Sequence, residues 1–330
     1  MRADGTICQD AGYDETTRAF LLMDDGLGPV TVPQSPSPRE IDDAVRLLLD
    51  DWLGDMPLET QPDRANLLAL ILTPFVRGLV PLAPLAVVDG LQMGVGKNLL
   101  ADCVALLVTG RNADPLPYPS DDEEQRKVIT STFGTGAELF VFDEAHSIGG
   151  RSLARALTAT TYNDRILGVS RMANYPNTVT WVALGNQVQV RGDLARRVYR
   201  IALRPTEPDP DRRDNSTFRH QDLRAWTRAN RGLLDQSALT LVRAWFEAGQ
   251  PTAPAGVSFG SFEGWERIIG GIVHVASVDG FLTNTRQWRA EADFETGYWE
   301  EHLHDVWCRF GEDPFTISGA SEFSVGPVWS

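Results

Sequence analysis

Residues 90–100 read GLQMGVGKNLL, and they follow LAVVD at 85–89, a continuous apolar run bounded by Pro84 and Gly90. That run suits a parallel strand covered on both faces, and the stretch from Lys97 onward has the apolar content of a helix. A glycine-bearing loop between a buried strand and a helix gathers backbone N–H groups into one concavity, at the positive end of the helix. Gly94, Val95, Gly96, Lys97, Asn98 and Leu99 therefore form an expected phosphate-binding loop, with Lys97 long enough to reach β- and γ-phosphates. The loop departs from G-x-x-x-x-G-K-[ST] twice: Leu91 stands at the first glycine, and Asn98 stands where Ser or Thr would hold Mg²⁺. An amide oxygen can also ligate Mg²⁺, so Asn98 is an assisting metal ligand in this reading, with weaker or water-routed binding.

Residues 139–144, LFVFDE, are an apolar run ending in adjacent carboxylates. A hard divalent cation needs a carboxylate at the end of such a strand, which Asp143 supplies, and Glu144 is placed to orient or deprotonate an attacking water. A third apolar run, 179–184, ends in Gly185, Asn186 and Gln187, and the Asn186 amide is expected to sense the γ-phosphate. Residues 192–200, GDLARRVYR, put Arg196 and Arg197 just before a fourth apolar run at 198–203. An arginine there can complete a neighbouring subunit's site by spreading the charge on a transferred phosphoryl group.

Outward from this centre, helical periodicity covers 41–53 and 63–79, and it returns over 218–288 after a charged, proline-containing linker at 204–214. The expected organisation is an N-terminal lead-in and linker at 1–40, poor in strands; a helical segment at 41–80 packing on the core; an α/β core at 81–205; an α-helical domain at 215–292; and an extension at 293–330 with a short helix through Trp299 and Trp307. Strands alternating with helices imply a mostly parallel sheet, and the phosphate-binding loop makes the expected core an α/β P-loop NTPase.

The 330 residues carry 45 acidic and 30 basic side chains, a formal charge of −15, which argues against a generally basic nucleic-acid-coating protein. The charge is uneven. Residues 1–60 hold 4 basic and 13 acidic side chains (−9), whereas 151–247 hold 16 and 9 (+7). That basic segment reads either as solvated helix faces or as a surface facing a polyanion. Lys97 and Lys127 are the only lysines beside 28 arginines. No apolar run approaches the roughly 20 residues that span a bilayer, and no basic leader precedes an apolar stretch, so a cytoplasmic protein with no membrane partner is expected. The three scattered cysteines fit a reducing compartment.

In this order and spacing the loop, the Asp-Glu strand, the Gly-Asn strand and the Asp-x-x-Arg-Arg turn resemble the superfamily 3 and related AAA+ helicase motors of phages, plasmids and other mobile elements. More narrowly, DRANLLALILTPFVRGL, GVGKNLLAD, ALTATTYNDRILGVSR, TWVALGN, GDLARR, FRHQDLRAWTRANRG and GSFEGWERIIGGI resemble a bacterial group of mobile-element ATPases often fused to primase or polymerase modules. The resemblance spans about residues 41–285. It implies an ASCE, AAA+-like fold, ATP and Mg²⁺ as cofactors, a ring of subunits, usually a hexamer, and a primase or replication-origin partner. It also implies a hairpin reaching the ring's pore at 163–175, with Arg165 and Arg171 as contacts for single-stranded DNA. No primase or zinc module is evident in the acidic N-terminus, so priming is not expected. Two other classes fit the same motifs: a nucleotide-switched regulatory or defence ATPase without DNA unwinding, and a non-hydrolysing ATP-binding scaffold, which Asn98 motivates.

Two further patterns look like chemistry and are read otherwise. GVSFG at 256–260 fits G-x-S-x-G, but a Pro- and Ala-containing loop precedes it where a hydrolase needs a strand. His302, His304 and Cys308 have a loosely metal-like spacing on an acidic helix, read as surface and core. Trp226, Trp245 and Trp265 fall at helical core spacing and are expected to pack rather than to stack on bases.

Overall fold

The computed structural model describes residues 1–17, 19–21, 30–166, 168, 171–205, 215–254, 259–292, 303–311 and 313. Most of the 204–214 linker, the centre of the GVSFG stretch, His302 and Trp299 lie outside the described residues.

The chain opens with a small antiparallel ribbon, β1 (Gly12–Asp14) and β2 (Ala19–Leu21), where a strand-poor lead-in was expected. Helix α1 (Pro38–Arg46) starts three residues before the expected Ile41. Ser37 caps it in a reciprocal box with Glu40 and Pro38 fills its first position, so residues that read as linker are a helix start. The helix runs on through a π-helical turn, Leu47–Trp52, and after a non-helical connection at 53–60 the chain enters α2 (Gln61–Val76), whose own cap is a second such box between Thr60 and Asp63. Nearly all of α2 is buried, as its dense apolar sequence requires.

The core is a five-stranded sheet, parallel throughout. Its strands are β3 (Leu85–Gly90), β4 (Leu116–Pro117), β5 (Leu139–Asp143), β9 (Thr180–Asn186) and β11 (Val198–Leu203), in the spatial order β11-β3-β9-β5-β4. All six residues of β3 are buried, which is why Leu85–Val88 are apolar without alternation. Helix α3 (Lys97–Thr109) returns from β3, and α4 (Asp122–Gly134) leads from β4 into β5. Between β5 and β9 come β6 (Ser147–Ile148), α5 (Arg151–Thr158) and the antiparallel hairpin β7 (Thr161–Arg165) and β8 (Met172–Pro176). After β9, β10 (Gln189–Val190) pairs in parallel with β6, and a 3-10 turn, Gly192–Arg197, enters β11.

Helices α6 (Leu223–Ala229), α7 (Arg231–Glu247), α8 (Glu263–Val275) and α9 (Thr285–Ala292) follow, and residues 303–310 are helical. The buried side chains of α7 and α8 belong to the same hydrophobic cluster as those of the sheet and α2. Trp265 shows the join: it is wholly buried, and its indole N–H donates to Thr73 Oγ1 of α2 at 3.0 Å. Trp245 is buried as well, whereas Trp226 is partly exposed and stacks on His220 with centroids 4.2 Å apart. Among the described residues no helix is long and apolar enough to cross a membrane.

Candidate functional site

Because the five strands are parallel, their C-terminal ends share one edge of the sheet, and a crevice at that edge is where an open α/β sheet presents ligands. Gly90 ends β3, Asp143 ends β5 and Asn186 ends β9. Three segments far apart in sequence thus meet at one place.

The loop after β3 turns on Gly94 and Gly96, at φ +77° and +96°, a backbone region that side-chain-bearing residues rarely occupy. Gly96 immediately precedes α3, whose first N–H groups open into the concavity. Gly90 leaves room for a close approach: a Cβ there would lie 2.8 Å from Asn186 Oδ1 and 3.0 Å from Lys97 Nζ and would push both side-chain ends aside. Lys97 folds back across this gap and donates to Asn186 Oδ1 at 2.5 Å. Burial pushes its ammonium below the ordinary lysine value, with Asp143 and Asp89 pulling the other way.

Asn98, one residue on, donates its Nδ2 to Asp143 Oδ2 at 2.8 Å, and the backbone N–H of Glu144 donates to Asp143 Oδ1 at 2.8 Å. Glu144 is exposed and takes φ +53°, an uncommon conformation for a non-glycine residue. Lys97, Asn98, Asp143, Glu144 and Asn186 are thereby brought together, with Gly94, Val95, Gly96 and Leu99 forming the loop and first turn around them.

The floor of this site is Asp89, 2% exposed and legible only as the one polar residue in a buried strand. Its Oδ1 accepts from the Val188 N–H at 3.1 Å, and its Oδ2 accepts from Arg204 at 3.1 Å and pairs with Arg200 at 3.1 Å. One carboxylate therefore ties the ends of β3, β9 and β11 together beneath the loop. Arg200 and Arg204 also pair with Glu59, so the segment entering α2 is drawn to the same edge.

The two arginines of the 3-10 turn diverge. Arg196 has a side chain 61% exposed and pairs with Asp193 at 2.5 Å. Arg197 turns inward: it pairs with Asp193, donates to the Ala154 carbonyl, and donates to Thr158 Oγ1 at 3.0 Å. The hairpin carries Arg165 and Arg171 beside its turn, both exposed, and the Ile166 N–H donates to the Arg171 carbonyl at 2.9 Å. One residue before Arg165, Asp164 is buried and accepts from Arg126 at 2.7 Å, Arg155 at 2.9 Å, Tyr162 at 3.0 Å and Thr130 at 3.1 Å. Asn177, just beyond β8, donates to the carbonyls of Ala156 and Ala159. The hairpin is thus fastened to α4 and α5, and Arg197 fastens the 3-10 turn to α5.

The donor set of the loop suits an anionic group: unpaired helix-start N–H groups, a lysine and a close glycine approach. Asp143 and the Asn98 amide suit a hard cation that keeps most of its ligands from water or a bound anion. Among the described residues no group of three or more His, Cys, Asp or Glu is placed to hold a metal ion by itself. His304 and Cys308 make a 3.5 Å contact on the 303–310 helix, and among the described residues no metal-ligating group forms around them.

No family model matches the chain, and no curated protein matches it. Among solved structures, the chain is similar to the A form apo structure of the NrS-1 C-terminal region, at 11% identity and a TM-score of 0.39, over 75% of this chain and 53% of that one. It is likewise similar to an A form apo structure of that region described as 305–718, at 14% identity and a TM-score of 0.36, over 64% of this chain and 51% of that one. The chain spans about half the length of these two neighbours.

Proposed function

We propose that the chain is a P-loop ATPase of the ASCE class that works as a ring-forming DNA helicase or translocase in the replication of a mobile element or phage. The observation that carries the nucleotide part is the convergence of three strand ends, with Lys97 on Asn186 and Asn98 on Asp143. The strand order supports the same class, because β9, which bears Asn186, lies between the loop strand β3 and the carboxylate strand β5.

In this reading the loop amides and Lys97 hold the β- and γ-phosphates of ATP. Asp143, with Asn98 assisting, holds Mg²⁺, which when bound neutralises charge on the phosphates. Glu144 takes a proton from the attacking water. Asn186 releases Lys97 and turns its amide to the terminal phosphate. Arg197 is committed to the Ala154 carbonyl and the Thr158 hydroxyl of its own subunit, so the arginine that completes a neighbour's site is Arg196, exposed and paired with Asp193. Arg165 and Arg171 offer their charge to the phosphates of single-stranded DNA from the hairpin turn. Ring formation, the hexamer and a primase or origin partner rest on the family resemblance.

DNA-stimulated ATP hydrolysis is the test of the motor. Single-stranded DNA is expected to raise the rate, and Arg165→Ala with Arg171→Ala is expected to weaken DNA binding on the order of tenfold and to reduce its salt dependence. Hydrolysis with no response to DNA in the wild type favours instead a nucleotide-switched regulatory or defence ATPase. A second reading, a scaffold that binds ATP without hydrolysing it, is favoured by one observation: Asn98 occupies the Asp143 carboxylate as a hydrogen-bond donor.

A further inference from the structure

We propose that Gln187 is a further residue of this site, its side-chain amide contacting the terminal phosphate of a bound nucleoside triphosphate and so distinguishing triphosphate from diphosphate. The proposal rests on the nucleotide-binding reading above and adds a residue to it.

The backbone is the first observation. Gln187 takes φ +49°, directly after Asn186 at the end of β9, as Glu144 takes φ +53° directly after Asp143 at the end of the neighbouring β5. Left-handed backbone is disfavoured for a long side chain, and it persists where surrounding structure over-determines it, often at functional sites. Here the flanking turn is pinned on both sides. The Gln187 N–H donates to the Gly90 carbonyl at 3.1 Å, the Val188 N–H donates to Asp89, and the Gln189 N–H donates to the His146 carbonyl at 3.0 Å. Val188 is buried, while the Gln187 side chain is exposed.

The second observation is position. Gly90, which receives the Gln187 N–H, is also the residue against which Lys97 Nζ and Asn186 Oδ1 are packed. Gln187 therefore begins one residue from the Lys97–Asn186 contact, at the edge Lys97 crosses. The turn's own side of these bonds is backbone N–H throughout and uses nothing of the Gln187 side chain, so glycine or asparagine would satisfy them with less strain. A neutral amide offers N–H donors to a phosphate oxygen without the repulsion a carboxylate would bring.

The test is equilibrium binding of a non-hydrolysable ATP analogue and of ADP, each with Mg²⁺, to the full chain and its Gln187→Gly, Gln187→Asn and Gln187→Glu variants, with thermal unfolding alongside. Gln187→Gly relieves the left-handed backbone, so it is expected to unfold no earlier than wild type while its preference for triphosphate over diphosphate falls about tenfold. Gln187→Asn keeps the turn with a side chain one methylene shorter, and shows the same loss. Gln187→Glu loses more. A wild-type preference ratio retained in the Gly and Asn variants overturns the role of Gln187 and leaves the nucleotide site standing. Failure of the wild type to bind either nucleotide overturns both.

Discussion

Asn98 and Asp143, 45 positions apart in the chain, are joined by a 2.8 Å hydrogen bond in which the amide is the donor and the carboxylate the acceptor. A serine or threonine at that position would offer a hydroxyl oxygen to a cation held by Asp143. The asparagine as it stands offers an N–H₂ to the carboxylate itself, and its oxygen reaches a cation only after the amide turns.

Asn98→Thr is therefore expected to lower the Mg²⁺ concentration needed for half-maximal turnover, on the order of tenfold. Mg²⁺ titration in the presence of a non-hydrolysable analogue reads the same change without turnover. An unchanged Mg²⁺ requirement shows that Asn98 does not hinder the cation.

The two arginines of the 3-10 turn separate stability from function. Arg197→Ala removes bonds to the Ala154 carbonyl and Thr158 Oγ1 from a largely buried side chain, and is expected to cost about 2 kcal/mol in chemical denaturation. Arg196→Ala is expected to leave unfolding unchanged and to lower turnover at least about tenfold. Mixing Arg196→Ala subunits with Glu144→Gln subunits should restore turnover above either alone, because each supplies what the other lacks. A mixture as inactive as its components shows that Arg196 does not act across subunits.

Two buried carboxylates give the stability profile opposite slopes. Burial pushes the Asp164 carboxyl up, but the Arg165 N–H, Tyr162, Thr130 and Arg126 outweigh it and hold the group below its ordinary value. Its contribution is present above about pH 4 and is lost as pH falls through the folded value. Asp164→Asn should lower stability at pH 7 on the order of 3 kcal/mol and flatten the acid limb. Asp235 on α7 is the reverse case: burial pushes its carboxyl up to about 7, with Arg231 pulling the other way. Its contribution to stability is fully present below about pH 4 and is lost as pH rises through the folded value near 7. Asp235→Asn should raise the melting temperature at pH 8 and leave it unchanged at pH 4. A variant that melts like wild type at pH 8 contradicts the assignment.

The four long strands of the sheet were legible because residues on both faces are buried and so each reads as a mostly apolar run, interrupted by Asp89 in β3 and Arg200 in β11; Val198–Leu203 runs between the expected bounds. Helix α4 was not legible. Its sequence, DEEQRKVITSTFG, buries Gln125, Thr130 and Thr132 beside Ile129 and Phe133, so polar residues occupy the inward face. Strand β4 has two exposed residues and is defined by its pairing with β5 alone. The start of α1 carried its signal in Ser37-Pro38-Arg39-Glu40, a capping box inside a proline-rich stretch that composition marks as linker.

At the site, motif chemistry named Lys97, Asn98, Asp143, Glu144 and Asn186 as neighbours, and they are. It assigned them to ions and phosphates, and so it did not foresee that Lys97 and Asn186, or Asn98 and Asp143, bond to each other. Gln187 lay beyond reach for another reason: nothing in a glutamine announces a left-handed backbone.

The most direct measurement is ATP binding and hydrolysis with Mg²⁺ by the wild type, Lys97→Ala and Glu144→Gln. The wild type is expected to turn ATP over, Lys97→Ala to lose binding and turnover, and Glu144→Gln to bind ATP while hydrolysing it at least about a hundredfold more slowly. A wild-type protein that neither binds nor hydrolyses ATP, or a rate indifferent to both substitutions, contradicts the account.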